Sequence, residues 1–236
     1  MDGIRIGVLG NVDSAKTTTI SVLKHNILDN GRGSARSKVF KHKHEIDTGR
    51  TSSINHTHIK LDDRMVSYVD LAGHEKYLKT TMFGLNACSL DYVLILVGAN
   101  MGVLRMTKEH FKIAHALNIP IIFVITKIDI CPDNIMEQTL NDVYRLIKQG
   151  YRKNPKMPYL IDNNEKLEKT KLFPSCSKLI ENTNFTNIIP IIKISNTKGT
   201  NIDLLKCFIH RLPPMINYKN KKKEGPLFTI EETFFV

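Results

Sequence analysis

Eight consecutive residues, Gly10-Asn-Val-Asp-Ser-Ala-Lys-Thr17, have types and spacing that can hold a phosphate. The pattern is G-x-x-x-x-G-K-[ST], with one departure: Ala15 stands in place of the second glycine. In such a loop the backbone N–H groups of Asn11, Val12, Asp13, Ser14, Ala15, Lys16, Thr17 and Thr18 curl into a nest around an anion. The helix that follows adds partial positive charge from its N-terminus. Lys16 is expected to reach the β- and γ-phosphates, and the Thr17 hydroxyl to ligate Mg²⁺. The methyl of Ala15 is expected to press on the phosphates or push the loop open, at a cost of about 1–3 kcal/mol. That corresponds to roughly 5- to 150-fold in affinity. Neighbouring changes such as Ser14 can instead let the loop accept alanine, and a third reading is a substitution that traps an empty state.

Three further segments place polar residues at the ends of apolar runs. Val66-Ser-Tyr-Val-Asp70 leads to Gly73. A carboxylate at that strand end can hold a water on Mg²⁺, and a glycine without Cβ lets its N–H approach a γ-phosphate. Ile121-Ile-Phe-Val-Ile125 runs into Thr126-Lys127-Ile128-Asp129. The Asp129 carboxylate can accept from the N1–H and 2-amino group of guanine, a donor pair that adenine lacks. Ile191-Ile-Lys-Ile194 ends in Ser195-Asn196, where a backbone N–H can meet guanine O6.

The elements that must position these residues alternate strand and helix. Strands are expected at 4–9, 54–60, 65–71, 92–98, 121–126 and 189–194. Helices are expected near 17–28, 75–87, 107–117, 134–149 and 201–211. All strands but 54–60 are apolar runs, which suits a sheet covered on both faces. The segment 54–60 alternates and carries His56 and His58, as an edge strand would. The expected fold is an α/β three-layer sandwich of the P-loop NTPase type. Its sheet is mostly parallel and six-stranded, with one antiparallel edge strand. The polar strand ends then meet at the carboxyl edge of the sheet, where open α/β sheets bind ligands.

These segments together resemble the GTPase domain of a translational GTPase. The nearest group is that of GTP-binding proteins 1 and 2, within the superfamily of elongation factors Tu and 1-alpha. The resemblance is carried by Gly10-Asn-Val-Asp13, Leu28-Asp-Asn-Gly-Arg-Gly33, Lys41-His-Lys-His-Glu-Ile46, Gly49-Arg-Thr-Ser-Ser53, Asp70-Leu-Ala-Gly-His-Glu-Lys-Tyr-Leu-Lys-Thr-Thr81, Met106-Thr-Lys-Glu-His110 and Thr126-Lys-Ile-Asp-Ile-Cys-Pro132. It covers nearly the whole chain and is weakest over 152–187. It implies that Thr51 closes on Mg²⁺ and the γ-phosphate, that Asp70 and Gly73 form the second-switch pair, and that His74 positions the attacking water. Asp13 matches the loop aspartate of the family, and Val12 one side of an apolar gate near the water. Arg50 stands where many elongation factors have isoleucine, and Thr126 replaces the commoner asparagine of N-K-x-D. The catalytic set implied is His74, Lys16 and Thr51, and the metal set is Thr17, Thr51 and Asp70.

The resemblance also divides the chain. Residues 1–212 are expected to form the GTPase domain with an insertion at about 152–187, and 213–225 a basic linker. Residues 226–236 resemble the first strand of the β-barrel domain that follows in relatives. The missing barrels are expected in the full-length protein.

The formal charge of the 236 residues is +11. Arg32, Arg36, Lys38, Lys41 and Lys43 cluster between the loop helix and Thr51. Such a cluster suits ribosome or RNA contact, although a solvated segment is the commoner meaning of a charge run. His42, His44, His56 and His58 lack a completing cysteine or carboxylate set, so no zinc is expected. The four cysteines form no close pair in the sequence, and a reducing, cytoplasmic compartment is expected. No apolar run is long enough to span a bilayer. Three functions compete: a Mg²⁺-dependent GTP-hydrolysing switch, a pseudo-GTPase binding module motivated by Ala15, and another P-loop enzyme such as an ATP-dependent kinase. Thr126-Lys-Ile-Asp129 argues against the last.

Overall fold

The structure, a computed structural model, describes residues 3–39, 51, 53–61, 64–161 and 187–215. The expectations for Arg50, Lys41, Lys43, His42, His44, most of the insertion, nearly all of the linker and the barrel strand lie outside the described residues.

Among the described residues, seven strands form one sheet. They are β1 (Ile4–Gly10), β2 (Asn55–Leu61), β3 (Arg64–Asp70), β4 (Tyr92–Gly98), β5 (Ile121–Thr126), β6 (Met157–Ile161) and β7 (Ile188–Lys193). Five helices accompany them: α1 (Lys16–His25), α2 (Leu78–Ala87), α3 (Arg105–Ala116), α4 (Asp133–Gly150) and α5 (Ile202–Arg211). The sheet order is β2-β3-β1-β4-β5-β7-β6. Only β2 runs antiparallel, paired to β3 at the edge. The other pairings are parallel.

Burial explains the apolar runs. Every residue of β4 and β5 is buried. Successive side chains alternate between two cores, as the two-residue period of a strand requires. Tyr92, Leu94 and Leu96 of β4 face the core that holds Ile20, Leu23, Leu205 and Phe208 of α1 and α5. Val93, Ile95 and Val97 face the core that holds Leu85, Phe111, Val143 and Ile147 of α2, α3 and α4. The result is the expected three-layer sandwich with one strand more.

That seventh strand, β6, lies within the stretch read as a loop insertion. Its five residues alternate in exposure and include Pro158, which is tolerated because β6 is an edge strand. The expected helix over 75–87 divides into a 3₁₀ turn at Glu75–Tyr77 and α2. The last described residues are fastened to the sheet. Tyr92 Oη donates to Pro213 C=O at 2.7 Å, and Met215 N–H to the buried Asp91 carboxylate at 2.9 Å.

Because β1 lies between β3 and β4, the chain leaves it in one direction and returns on the other. The carboxyl ends of these three strands therefore face a crevice at the point where the strand order reverses. Register places Val8 beside Asp70 and Gly10 beside Leu96, so the loop after Gly10 enters that crevice.

Candidate functional site

The loop Gly10–Lys16 takes its shape from backbone geometry. Gly10 has φ +144°, and a Cβ there would lie 2.6 Å from Ser14 Oγ. Asp13 and Ala15 are both left-handed, with φ +61° and +66°. The Ser14 hydroxyl and N–H both donate to Asn11 C=O, at 2.8 and 3.3 Å. No side chain caps α1 and no acid lies in its first turn. Its leading N–H groups are therefore left for an anion.

Ala15 has a positive φ of +66°. The residue occupies the left-handed position that glycine reaches without penalty. For a residue with a Cβ that conformation costs about 1–2 kcal/mol. Alanine has the smallest Cβ-bearing side chain.

Lys16 is buried, and its Nζ donates to Gly10 C=O at 3.1 Å and Asn11 C=O at 2.9 Å. Burial pushes its ammonium down to about 8, against the pull of Asp70 and Asp13. Beside it three oxygens converge. Thr17 Oγ1 donates to Asp70 Oδ2 at 2.6 Å and lies 3.0 Å from Thr51 Oγ1. Thr51 Oγ1 lies 3.3 Å from the same carboxylate oxygen. All three residues are buried. Two hydroxyls and one carboxylate form an all-oxygen donor set, which suits Mg²⁺ held jointly by protein, phosphate and water. Among the described residues no cluster of three or more His, Cys, Asp or Glu side chains could hold a metal.

Gly73 completes this end. A Cβ on it would come within 2.6 Å of Gly10 O and 2.8 Å of the Asn11 carbonyl carbon, as well as onto Lys16 Nζ. The close approach of β3's exit to the loop therefore requires glycine. His74 is exposed at the cleft and starts the 3₁₀ turn, its Nδ1 accepting Lys76 N–H at 3.1 Å. Val12, Asp13, Ala15, Lys16, Thr17, Thr18, Thr51, Gly73 and His74 all border one cleft of about 50 Å³.

At the other end, Asp129 stands after β5, with Lys127 left-handed at φ +61° to turn the chain. Ser195 Oγ and Thr197 Oγ1 each donate to one Asp129 oxygen at 2.7 Å. Burial opposes ionisation of Asp129. The two hydroxyls, a backbone bond and Lys198 outweigh it and hold the carboxyl below its ordinary value. Thr126 does not turn toward this carboxylate. It is buried, and its hydroxyl donates to Ser14 C=O at 3.0 Å, stapling β5 to the phosphate loop. Ser195 N–H is committed to Thr200 C=O at 3.1 Å. Asn196 is buried and joins the two ends: its Nδ2 donates to Thr19 Oγ1 at 2.9 Å, and its C=O accepts Asp29 N–H at 2.9 Å.

Four residues of this region were missed by sequence reasoning as parts of the site. Thr197 is recognisable afterwards as a hydroxyl two places beyond Ser195. Arg36 borders the cleft although it reads as part of a surface charge run. Asp29 organises the loop that carries it. His110 of α3 is fully buried, with neither ring nitrogen hydrogen-bonded. Burial, and then Lys16 nearby, push its imidazole down to about 4, so it stays neutral. A larger cavity of about 720 Å³, lined by His115, Tyr151 and Lys156 among others, contains none of the expected site residues. Size and chemistry point to different places, and the chemistry converges at the smaller.

A family model described as the elongation factor Tu GTP binding domain matches residues 1–214. GTP-binding protein 1 of Xenopus laevis is 39% identical over 261 residues, covering 99% of this chain and 38% of that protein. GTP-binding protein 2 of Homo sapiens is 36% identical over 242 residues, covering 93% of this chain and 38% of that protein. The chain thus spans well under half the length of these relatives. Among solved structures, a bacterial selenocysteine-specific elongation factor, EF-Sec, superposes with TM-score 0.65 at 23% identity, covering 94% of this chain and 30% of that one. Elongation factor SelB from Methanococcus maripaludis, in complex with the GTP analogue GppNHp, gives TM-score 0.58 at 23% identity, covering 99% and 37%. At that identity these likenesses bear on the fold alone.

Proposed function

The chain belongs to the elongation factor Tu GTP-binding domain family, and from that premise we propose that it binds guanine nucleotides and hydrolyses GTP to GDP and phosphate as a Mg²⁺-dependent switch. The observation that carries this reading is the meeting of Thr17, Thr51 and Asp70 oxygens within 3.3 Å beside Lys16. These residues come from three segments far apart in the chain, and together they fit a cation on a polyphosphate. Bound Mg²⁺ would supply charge neutralisation on the phosphate oxygens.

The remaining work falls to the chain's own groups. Backbone N–H groups of residues 11–18 and Lys16 Nζ hold the phosphates. Lys16 exchanges its two carbonyl partners for phosphate oxygens. Gly73 N–H approaches the terminal phosphate because no Cβ intervenes. His74, at the cleft rim, orients water. Asp129 accepts from guanine while Ser195 and Thr197 hold both its oxygens in place. With Ser195 N–H occupied, guanine O6 falls to the next backbone donor, Asn196 N–H.

The wider organisation is part of the proposal. Residues 1–212 act as the GTPase domain, followed by a linker and barrel domains of the longer protein, working in the cytoplasm. The basic run of residues 32–43, of which Arg32 and Lys38 are exposed, would contact RNA or the ribosome.

The test is calorimetric titration of the nucleotide-stripped chain with GDP and a non-hydrolysable GTP analogue, with and without Mg²⁺, beside phosphate release with GTP. Micromolar or tighter binding that strengthens with Mg²⁺, followed by slow release, supports the switch. No measurable binding at about tens of micromolar supports the nucleotide-poor pseudo-GTPase that Ala15 suggests. Preference for ATP sinks both.

A further inference from the structure

We propose that Arg36 is a phosphate ligand of this cleft, a second cation placed on the polyphosphate by a purpose-built loop. The inference rests on the reading of the cleft as a nucleotide site.

Arg36 opens the short 3₁₀ turn Arg36–Lys38 and borders the same cleft as Ala15, Lys16, Thr17, Thr18 and His74. The loop before it is wrapped around one carboxylate. Asp29, 9% exposed, accepts N–H bonds from Gly31 at 2.9 Å, Gly33 at 3.3 Å and Ala35 at 2.9 Å, and the Ser34 hydroxyl at 3.4 Å. Ala35 C=O accepts Ser21 Oγ of α1 at 2.5 Å. Asp29 N–H is tied to Asn196 C=O. Arg36 is thus the first residue after a segment anchored both to the phosphate-loop helix and to the strand end at the base side. Its guanidinium packs against Gly33, where a Cβ would lie 2.9 Å from Cζ and 3.1 Å from Nη2, and where φ is +87°. Glycine at 33 leaves the room that the guanidinium occupies.

Charge balance gives this placement its purpose. The cleft is bordered by Lys16 and by the acidic Asp13, with Asp70 close behind. A nucleoside triphosphate brings three to four negative charges, more than one buried lysine offsets. A guanidinium keeps its charge at every working pH and presents paired N–H donors that match phosphate oxygens. Anchoring by Asp29 lowers the ordering cost of that contact. Arg32 and Lys38 are exposed and do not border the cleft, whereas Arg36 is half-buried and borders it, so the basic run divides.

The experiment compares GDP, the GTP analogue and guanosine on the native chain, Arg36→Ala, Arg36→Lys and Arg32→Ala. Calorimetry serves the nucleotides and ligand-observed NMR the nucleoside, with thermal unfolding of each variant as a check. Arg36→Ala is expected to weaken GDP and the analogue by roughly 10- to 100-fold, the range for a lost charge-assisted contact, and to leave guanosine unchanged. Arg36→Lys should recover part of the loss, and Arg32→Ala should stay within about 2-fold. If Arg36→Ala fails to fold, Arg36→Gln keeps the packing stem and removes the charge. Unchanged GDP affinity in a folded neutral variant overturns the assignment and leaves the nucleotide site standing. Equal losses for GDP and guanosine make Arg36 a loop anchor and also overturn it. No binding by the native chain removes the nucleotide reading, and Arg36 with it.

Discussion

The two ends of the proposed nucleotide site, the phosphate end around Lys16 and the base end around Asp129, are built by different means. At the phosphate end Lys16, Thr17 and Asp70 are 7%, 8% and 0% exposed; Lys16 is satisfied by loop carbonyls and Thr17 by the Asp70 carboxylate. Shape there comes from the backbone: Gly10 and Gly73 at close approaches, and Asp13 and Ala15 in left-handed conformations. At the base end Asp129 is exposed, and side-chain hydroxyls aim it. Both ends carry a departure from the family pattern. Ala15 puts a Cβ in a left-handed conformation. Thr126, in place of asparagine, donates its hydroxyl to Ser14 C=O of the Gly10–Lys16 loop. A site read by backbone N–H groups tolerates a side-chain change only if φ and ψ survive. A site read by side chains can redistribute its supports.

The largest effect should come from Asp129→Asn. An amide cannot accept both guanine donors, so GDP affinity should fall by about 10²- to 10⁴-fold. Xanthine nucleotides, which present a carbonyl where guanine presents an amine, should gain in the same titration. If GDP binding persists unchanged, base reading does not reside in Asp129 and the two-ended description fails.

Lys16→Ala should cost roughly 10- to 100-fold in GDP affinity without altering guanosine binding. Lys16 also predicts a pH profile. Unliganded, its ammonium sits at about 8. Phosphate charge must raise that value, so the complex holds more protons than the empty chain above pH 8. GDP affinity should therefore be flat below about pH 8 and fall by up to about tenfold per unit above it. Unliganded stability should move the other way. The ordinary lysine value is 10.5, so between about 8 and 10.5 the unfolded chain holds more protons and the fold gains stability as pH rises. Calorimetry and thermal unfolding over pH 7–10 would check both directions.

Smaller effects sharpen the contrast. Thr126→Val removes the staple to Ser14 and should cost about 1–3 kcal/mol in stability, since a buried carbonyl loses its partner. Ala15→Gly should stabilise the fold by about 1 kcal/mol through release of left-handed strain, less the entropy that glycine adds to the unfolded chain. GDP affinity should hardly move, because the strain is the same with and without ligand. A gain of 100-fold in affinity with unchanged stability would instead place the methyl against the phosphates and break the backbone explanation.

Much of this molecule is legible without coordinates. Apolar runs of strand length separated by amphipathic helices require a mostly parallel sheet covered on both faces, because nothing else buries them. The spacing from Gly10 to Thr17, and the carboxylates closing the runs at Asp70 and Asp129, mark one edge of that sheet as the place for chemistry. Those properties are local: each is set by residues within one strand and its following turn. The rest depended on residues far apart in the chain. Ser195 and Asp129 are separated by 66 positions, and Asn196 and Thr19 by 177. Only the sheet order brings them together. That β6 pairs as an edge strand, that Thr126 turns to Ser14 and that Arg36 borders the cleft are likewise tertiary outcomes. A short alternating segment, a single hydroxyl or one arginine in a basic run satisfies several local environments equally, and only packing against distant elements decides between them.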